Sequence, residues 1–207
     1  MRSPGRTAAV VGGGSWGTAL ALHLSKAGFQ VPLWVYDPGL SGVLIAGKEN
    51  PVYLPGFALP GSILPSEDLP GVVSGTDLVL WVVPTRHFRD VLRRAAPHLS
   101  PGTRLVIATK GIESGTGLRM SQVARGCLGR DLRCLAVLSG PNFAREVARG
   151  DPTAGVLACE DLEEARALQE EMSHGSFRLY TNRDVVGVEM AGALKNVIAL
   201  AAGVVEG

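Results

Sequence analysis

The sequence has almost no excess of charge of one sign. Its 207 residues carry 20 lysines and arginines against 19 aspartates and glutamates, a formal net charge of +1, scattered along the chain. A surface that binds nucleic acid or an anionic membrane concentrates basic side chains instead. The composition therefore indicates neither kind of partner. With 46% hydrophobic residues, the chain has enough apolar side chains to bury a core.

Cysteine is scarce as well. The three cysteines, Cys127, Cys134 and Cys159, are odd in number and have no metal-ligand spacing. They predict no metal site and are typical of the reduced thiols of a cytoplasmic protein. His87 and His98 lack a second histidine or cysteine at ligand spacing, so we interpret both as surface residues at helix edges.

The pattern also lacks a leader segment and an obvious membrane span. The opening residues MRSPGR run directly into a predicted strand, which leaves no room for a signal peptide. The most apolar stretch begins at Val185 but is interrupted by Glu189, Lys195 and Asn196. We therefore expect no integral membrane segment and a cytoplasmic location.

The first forty residues have the pattern of a dinucleotide-binding unit. An apolar strand, Thr7–Val11, leads into three glycines at the G-x-G-x-x-G spacing, Gly12, Gly14 and Gly17, and then into a helix, Trp16–Ala27. In this motif the first glycine permits a tight turn, the second lets the backbone approach a diphosphate, and the third lets the helix pack closely on the strand. The exposed amides and positive dipole end of the helix suit the diphosphate.

A second strand, Gln30–Val35, follows this helix and ends just before Asp37. An acidic residue about twenty positions after the glycines is placed to bind a ribose. Because a lone glycine motif is common in loops, this strand, helix and acidic residue are what make dinucleotide binding the favoured interpretation over a purely structural turn.

The rest of the chain alternates apolar strands with helices, which predicts a Rossmann-like, doubly wound, mostly parallel sheet with flanking helices. The predicted strands are Leu78–Val83, Arg104–Ala108, Leu135–Leu138, Thr153–Ala158 and Phe177–Tyr180. The predicted helices are His87–Ala96, Met120–Gly126 and Leu162–Met172, the last with Asp161 as its N-cap. Residues 38–71 are rich in proline and glycine and are predicted to be irregular.

Two interpretations remain open for the segment Asn50–Gly56 inside that irregular region. It is either a surface loop with Tyr53 and Leu54 packed under it, which its composition slightly favours, or a loop that closes over a cofactor.

Polar residues follow two of the buried strands at the edge where a doubly wound sheet binds ligands. Lys110 comes directly after one strand. A lysine usually belongs to a solvated face, but this position favours contact with a phosphate or a substrate oxygen. The segment Ser139–Ala144 follows another strand and leads into a helix, with Asn142 as a plausible N-cap and Glu146 in the first turns.

The last predicted element is an apolar helix that begins near Asp184. An inner, buried face is expected from Val188, Ala191, Leu194, Ile198, Ala201 and Ala202. Lys195 lies in the middle of this helix, and a buried, unpaired ammonium is costly. The lysine is therefore either a snorkelling residue at the helix edge or a functional amine.

Five blocks together resemble one family. They are GGGSWGTALA (12–21), NPVYLPG (50–56), ATKGIE (108–113), SGPNFAREV (139–147) and VEMAGALKNVIALAAG (188–203). In this order they are similar to the NAD(P)-dependent sn-glycerol-3-phosphate dehydrogenases of the bacterial type. The resemblance implies reversible interconversion of dihydroxyacetone phosphate and sn-glycerol 3-phosphate with NAD or NADP, which supplies the glycerol backbone of phospholipids.

The resemblance also implies roles for individual residues. Lys195 would be the general acid and base. The substrate would be held by Lys110, Gly140, Asn142 and Lys195. The cofactor would contact Gly12, Gly14, Ser15, Trp16, Gly17, Tyr36, Asp37, Tyr53, Lys110 and Ala144. Asp37 favours NAD because it repels a 2′-phosphate, whereas bacterial members often use NADP, so both cofactors are expected to bind.

The family continues beyond the block around Lys195 into a helical substrate domain. The resemblance therefore divides the chain into a dinucleotide-binding domain, residues 1–183, and the start of the substrate domain, residues 184–207. The chain would be a fragment of a longer product or a truncated form. Its expected partners are the small-molecule substrate and, in a homodimer, a second copy of the chain.

The alternative function is a module that binds NAD(P) without turnover. A more distant alternative is another Rossmann reductase that acts on a hydroxy acid.

Overall fold

The computed structural model describes residues 6–129 and 132–206, and its central feature is an eight-stranded sheet. The strands within these residues are β1 (Ala8–Val11), β2 (Val31–Trp34), β3 (Glu49–Asn50), β4 (Leu54–Ala58), β5 (Ile63–Ser66), β6 (Leu78–Trp81), β7 (Arg104–Ile107), β8 (Cys134–Ser139), β9 (Thr153–Ala158) and β10 (Phe177–Asn182). The sheet has the order β5-β2-β1-β6-β7-β8-β9-β10, and β3 and β4 form a separate antiparallel pair.

Helices connect these strands and cover both faces of the sheet. They are α1 (Ser15–Lys26), α2 (Pro38–Gly47), α3 (Leu69–Val73), α4 (Thr85–Ala95), α5 (Met120–Leu128), α6 (Ala144–Arg149), α7 (Leu162–Met172) and α8 (Val185–Glu206), with a short 3₁₀ turn at Ala96–His98. Outside residues 38–71 these elements begin and end within two residues of the predicted bounds.

All neighbouring strands of the large sheet are parallel except β8 and β9, which are antiparallel. The chain first builds outward from β1 through β2 and β5, and then crosses to the other side of β1 to build β6 through β10. The order therefore reverses between β1 and β6. In an open sheet of parallel strands this reversal opens a crevice at the carboxyl ends of the strands. The predicted Rossmann-like, doubly wound, mostly parallel fold is confirmed.

Side-chain alternation along the strands divides the interior into two apolar clusters, one on each face of the sheet. In β1, Ala8 and Val10 belong to the first cluster, and Ala9 and Val11 belong to the second. Helix α1 packs against the first cluster, in which Ala19, Leu20, Leu22 and Leu24 are all buried. Both faces of the strands are thus covered, as their continuous apolar sequences require.

The prediction that residues 38–71 are irregular was wrong. The segment forms α2, β3, β4, β5 and α3. Helix α2 begins with Pro38 at its first turn, and the Asp37 side chain caps it by accepting a hydrogen bond from the Leu40 amide at 3.0 Å. Aspartate followed by proline is a helix-start signal. The three glycines of α2 obscured it, because glycine disfavours helix interiors.

The expectation of a buried α8 face was largely wrong. Val188 is buried, but Leu194 and Ile198 are 42% and 64% exposed, and the helix beyond them is exposed on all sides. The reason is that α8 contacts β8 and β9 through its first turns and then extends past the edge of the sheet. The apolar composition of a helix does not specify which neighbour covers it.

Helix α8 is also the one helix in the described part of the chain that is long and apolar enough to cross a membrane. The window Val185–Val205 meets this criterion by length and composition only, and 17% of it is buried. Core helices of globular proteins meet the same criterion, so it is weak evidence for a span. The expected absence of a membrane segment stays a prediction.

His87 and His98 are exposed, as expected of helix-edge residues.

The close approach of α1 to β1 depends on Gly17. A Cβ atom built there would overlap the carbonyl oxygen of Gly12, whereas a Cβ at Gly14 meets nothing within 4 Å. Gly12 itself has a φ of +127° and faces the Val82 carbonyl. The first and third glycines are therefore required by backbone conformation and by packing.

Replacing Gly17 by alanine should destabilise the protein by roughly 1–3 kcal/mol, because the added methyl group forces α1 away from β1. Gly14→Ala is the matched control, since its added methyl group enters open space. Urea unfolding followed by circular dichroism measures both. Equal unfolding free energies for the two variants would contradict the packing argument.

Candidate functional site

The glycine turn leaves an open space at the amino end of α1. Gly14 is the N-cap residue of this helix, and within the described part of the chain no side chain caps the first-turn amides. The space above Gly14 is empty to 4 Å. Uncapped amides and the positive end of the helix dipole favour an anion such as a diphosphate.

The end of β2 forms one side of this space. Val35 packs against Gly13, so the residues that follow it lie beside the glycine turn. Tyr36 is 75% exposed and its ring lies edge-on to Trp34 at 6.0 Å between centroids. Asp37 is exposed too, and it uses one carboxylate oxygen to cap α2. Both side chains are thus accessible to a ligand that lies along the glycine turn.

The segment around Asn50 packs against the same turn. Asn50 is completely buried and its Nδ2 donates to the Gly13 carbonyl at 3.0 Å and to Thr18 Oγ1 at 2.8 Å. Its Oδ1 accepts from the Tyr53 amide at 3.0 Å, and Ser15 Oγ donates to the Tyr53 carbonyl at 2.6 Å. Three of these hydrogen bonds attach the segment to the glycine turn and to α1, and the fourth, from Tyr53 to Asn50, closes a turn within the segment.

The surface-loop interpretation of this segment is correct only in part, and the interpretation as a loop over a cofactor stays a prediction. Leu54 is packed underneath, with 1% exposure, as the surface-loop interpretation expects. Tyr53 is half exposed instead, and its backbone reaches the first residue of α1. Sequence reasoning missed the role of Asn50. Asparagine followed by proline is a turn signal with a side chain able to bond its own backbone, and this signal was available.

Lys110 follows β7 and extends across the carboxyl ends of the strands. Its Nζ donates to the Gly140 carbonyl at 2.9 Å and to Asn142 Oδ1 at 3.1 Å, and it lies 5.8 Å from the centre of the Trp16 ring. Burial, together with the positive charge of Lys195, holds the pKa of the Lys110 ammonium below its ordinary value. Lys110 thus connects the glycine turn to the segment after β8.

The prediction that Asn142 caps the following helix was wrong. Phe143 is the N-cap residue of α6, and the Asn142 side chain turns to Lys110 instead. Among the described residues, Asn142 Nδ2 is buried without a hydrogen-bond partner. A buried donor without a partner is costly, so this amide is suited to an oxygen atom of a bound ligand. Glu146 lies in the first turn of α6, as expected.

Lys195 lies on α8 at the same edge of the sheet. Its Nζ is 4.4 Å from the centre of the Phe143 ring, which is a cation–π contact. The side chain is partly buried and lines a groove of about 380 Å³ together with Gly140, Pro141 and Ile198. Neither Lys110 nor Lys195 forms an ion pair with a carboxylate in residues 6–129 and 132–206. Two neighbouring ammonium groups without a carboxylate partner form a site that favours an anion.

The position of α8 depends on Glu189, whose role sequence reasoning missed. Glu189 is 7% exposed. Its carboxylate accepts from Arg119 Nη1 at 2.6 Å, from Ser121 Oγ at 2.6 Å and from the Ser121 amide at 2.8 Å. One turn later, Gly192 allows α8 to touch Ser139, because a Cβ atom there would collide with the Ser139 hydroxyl. Buried carboxylates are rarely unpaired, so a glutamate inside an apolar helix was a signal for such a partner.

The structure brings the predicted site residues to one edge of the sheet, in two adjoining groups. The first group surrounds the glycine turn and contains Gly12, Gly14, Ser15, Trp16, Gly17, Tyr36, Asp37 and Tyr53. The second contains Lys110, Gly140, Asn142, Ala144 and Lys195, with Ala144 as the first residue of α6. Lys110 joins the groups through Trp16. Within the described residues, no group of three or more histidine, cysteine or acidic residues that could hold a metal ion is found.

Removing the Glu189 carboxylate should loosen α8. In Glu189→Ala the Arg119 guanidinium, whose side chain is 20% exposed, loses its partner, and we expect a loss of about 3 kcal/mol in unfolding free energy. Glu163→Ala is the control, because that side chain is 82% exposed and its pairing with Arg166 should contribute less than about 1 kcal/mol. Urea unfolding compares the two, and similar losses would contradict the anchoring role of Glu189.

Comparison with known proteins identifies the family. A family model described as NAD-dependent glycerol-3-phosphate dehydrogenase N-terminus matches residues 7–165, and the corresponding C-terminus model matches residues 184–207. The chain is 50% identical to a glycerol-3-phosphate dehydrogenase [NAD(P)+] of Syntrophobacter fumaroxidans, covering 99% of the chain and 60% of the relative. It is 45% identical to the protein of that name from Koribacter versatilis, covering 96% and 60%.

A solved structure agrees with these relatives. The chain superimposes on the crystal structure of glycerol-3-phosphate dehydrogenase from Coxiella burnetii with a TM-score of 0.89 and 36% identity, covering 97% of the chain and 61% of that protein. The chain thus spans about 60% of the length of the curated relatives it matches. The matched N-terminal model covers well over half of the chain. The chain belongs to the NAD-dependent glycerol-3-phosphate dehydrogenase family.

Proposed function

We propose that the chain binds NAD or NADP along the glycine turn and carries the proton-transfer lysine of a dehydrogenase that interconverts dihydroxyacetone phosphate and sn-glycerol 3-phosphate. The observation that supports this most is the convergence of Lys110 and Lys195 on the Gly140–Phe143 segment, beside the open amino end of α1. The relatives named above carry the corresponding activity in their names.

The residues present fit a dinucleotide. The first-turn amides of α1 and the open space over Gly14 suit its diphosphate. The free carboxylate oxygen of Asp37 suits a ribose hydroxyl, and the exposed ring of Tyr36 suits stacking on an adenine. Ser15, Trp16, Tyr53 and Ala144 border the same space and would complete the contacts, with Asn50 holding Tyr53 in place.

The second group of residues fits a small phosphorylated substrate. Two ammonium groups without carboxylate partners supply positive charge for a dianionic phosphate or a developing oxyanion. The unpartnered Nδ2 of Asn142 supplies a hydrogen-bond donor beside Lys110. We assign Lys110, Gly140 and Asn142 to holding the substrate, and Lys195 to both holding it and exchanging a proton with it.

A dinucleotide held by the first group of residues would supply the hydride chemistry of the reaction. During reduction of the ketone, the Lys195 ammonium donates a proton to the carbonyl oxygen as negative charge develops on that atom. In the opposite direction the neutral Lys195 amine accepts the proton of the hydroxyl group. The Phe143 ring holds the ammonium at the groove without giving it a carboxylate partner, so its protons remain available for the substrate.

We further assign residues 1–183 to the dinucleotide-binding domain and residues 184–207 to the start of the substrate domain. This division is supported by the separate match of the C-terminal family model to 184–207. We infer that the enzyme works in the cytoplasm without an integral membrane segment, feeds glycerophospholipid synthesis, and assembles as a homodimer.

Lys195→Ala tests the proton-transfer role. NADH binding, measured by quenching of tryptophan fluorescence, should remain within about twofold, because Lys195 is assigned no cofactor contact. Oxidation of NADH that depends on dihydroxyacetone phosphate should fall by on the order of 10²–10⁴-fold. Lys48→Ala, at the exposed end of α2, is the lysine control and should leave both measurements unchanged.

Two outcomes would contradict the assignment. Full turnover in Lys195→Ala would remove its proton-transfer role. NADH binding without any substrate-dependent oxidation in the unsubstituted chain would favour the alternative of a binding module. Gly14→Ala provides the complementary test, because it should keep the fold while weakening NADH binding.

Asp37→Ser tests cofactor choice with little effect on the fold, because serine is also a good N-cap for α2. Removing the carboxylate should improve NADPH binding relative to NADH by roughly fivefold, since one repulsive charge near the 2′-phosphate is worth about 1 kcal/mol. Fluorescence titrations with both cofactors measure the ratio of dissociation constants. An unchanged ratio would show that Asp37 does not face the ribose.

A further inference from the structure

Two cysteines lie together at the end of the sheet opposite the candidate site. Cys134 is the first residue of β8, whose last residue is Ser139, and Cys159 directly follows β9. Because β8 and β9 are antiparallel, both cysteines lie at the same end of the sheet. Their Sγ atoms are 3.2 Å apart, and both residues are nearly fully buried. None of the functions assigned above uses this pair.

The two thiols differ in acidity. The hydrogen bond from Cys134 holds the pKa of the Cys159 thiol below its ordinary value, while that bond and burial raise the pKa of the Cys134 thiol. The pair therefore loses its first proton more readily than its second. One sulfur becomes a thiolate, and the other keeps a proton directly beside it. This division between a nucleophilic and a resolving sulfur is typical of reactive dithiols.

A cavity of about 160 Å³ leads from this pair to the surface. Besides the two cysteines, its lining includes the charged side chains of Arg125, Arg133, Glu160 and Asp161 and three leucines. At its mouth Arg125 pairs with Glu160 at 2.8 Å, and both side chains are more than half exposed. Exposed ion pairs open easily. Arg133 pairs in the same way with Glu164 at 2.8 Å, so both guanidinium groups at the cavity already have carboxylate partners.

We propose that Cys134 and Cys159 form a redox-modifiable dithiol that closes to an intrachain disulfide on reaction with a small disulfide such as oxidised glutathione. The Cys159 thiolate attacks one sulfur of the oxidant, forms a mixed disulfide and expels one thiolate. Cys134 then loses its proton and attacks Cys159 Sγ, which expels the second thiolate. The two cysteine protons leave with the two thiols. The cysteines lose two electrons and the oxidant gains them.

The second step is strongly favoured over a stable mixed disulfide, because the attacking sulfur already touches its target. The resulting bond joins the start of β8 to the end of β9 and closes the loop 134–159. A cross-link of this kind that fits the native geometry limits the unfolded chain and stabilises the fold. Cys127 lies apart from the pair, with its Sγ 3.8 Å from the Arg89 carbonyl oxygen, and burial raises the pKa of its thiol.

Thiol counting in graded glutathione buffers tests the proposal. The fully reduced chain is equilibrated, quenched with acid, alkylated and analysed by intact mass and peptide mapping. We expect free thiols to fall from three to one, a cross-linked peptide pair containing Cys134 and Cys159, no retained glutathione, and full reversal by dithiothreitol. In Cys127→Ser the free thiols should fall from two to none, with the same cross-linked peptide pair. Cys134→Ser should instead retain glutathione on Cys159, because the resolving thiol is gone.

Two results would overturn the proposal. The first is three free thiols in every oxidising buffer, or oxidation that involves Cys127 as often as the pair. The second comes from urea unfolding. We expect the oxidised chain to unfold at a higher urea concentration than the reduced chain, because the cross-link stabilises the fold. A midpoint that is equal or lower would show that the bond does not fit the native geometry, which contradicts the proposal. Comparing the oxidised and reduced forms of Cys127→Ser makes this measurement free of other disulfides.

Discussion

Two positively charged amines share one small region at the carboxyl edge of the sheet, and most of the site depends on this arrangement. Lys110 comes from the strand side and Lys195 from the last helix, and the charge of Lys195 disfavours the protonated form of Lys110. The Lys110 ammonium donates hydrogen bonds to neutral oxygen atoms of Gly140 and Asn142, and the Lys195 ammonium lies over the ring of Phe143. Neutral partners leave the combined positive charge uncompensated, and this is the physical basis for binding an anionic substrate here.

Close contacts at several points are needed to keep this arrangement in place. Gly17 lets α1 pack closely on β1, and Gly192 lets α8 touch Ser139 at the end of β8. The buried Glu189 then joins α8 to the start of α5 through Arg119 and Ser121. Asn50 performs a similar function at the glycine turn, where it is completely buried. The functional side chains are therefore supported by backbone contacts and buried polar groups on rigid elements.

The sequence was most informative where structure depends on local pattern. Apolar strands, the glycine spacing and the Asp161 N-cap depend on neighbouring residues, and the fold they predict is confirmed. Predictions were wrong where a residue far away in the sequence determines the contacts of a side chain. Asn142 has the local features of an N-cap, but its side chain bonds Lys110, 32 residues away. By local pattern Glu189 is only an interruption of an apolar helix, because its partner Arg119 is 70 residues away.

Residues 38–71 illustrate a different difficulty. Glycine and proline there indicated irregular structure, yet Pro38 starts a helix and Pro65 lies in the edge strand β5, where a missing amide donor is tolerated. The roles of Lys195 and Ala144 came from the family resemblance, since no local rule assigns chemistry to a lysine in a helix or to an alanine after a turn. The local sequence pattern thus predicted most helices and strands, whereas the geometry of the site depends on contacts between residues far apart in the sequence.

The most direct measurement of the shared-charge arrangement is the titration of the Lys110 side chain by NMR, in the unsubstituted chain and in Lys195→Met. The account predicts a pKa of Lys110 below its ordinary value in the unsubstituted chain, since burial and the Lys195 charge both oppose protonation. In Lys195→Met the pKa should rise while staying below the ordinary value, because only burial remains, and Lys48→Met should leave it unchanged. Identical Lys110 titrations with and without Lys195 would contradict the account.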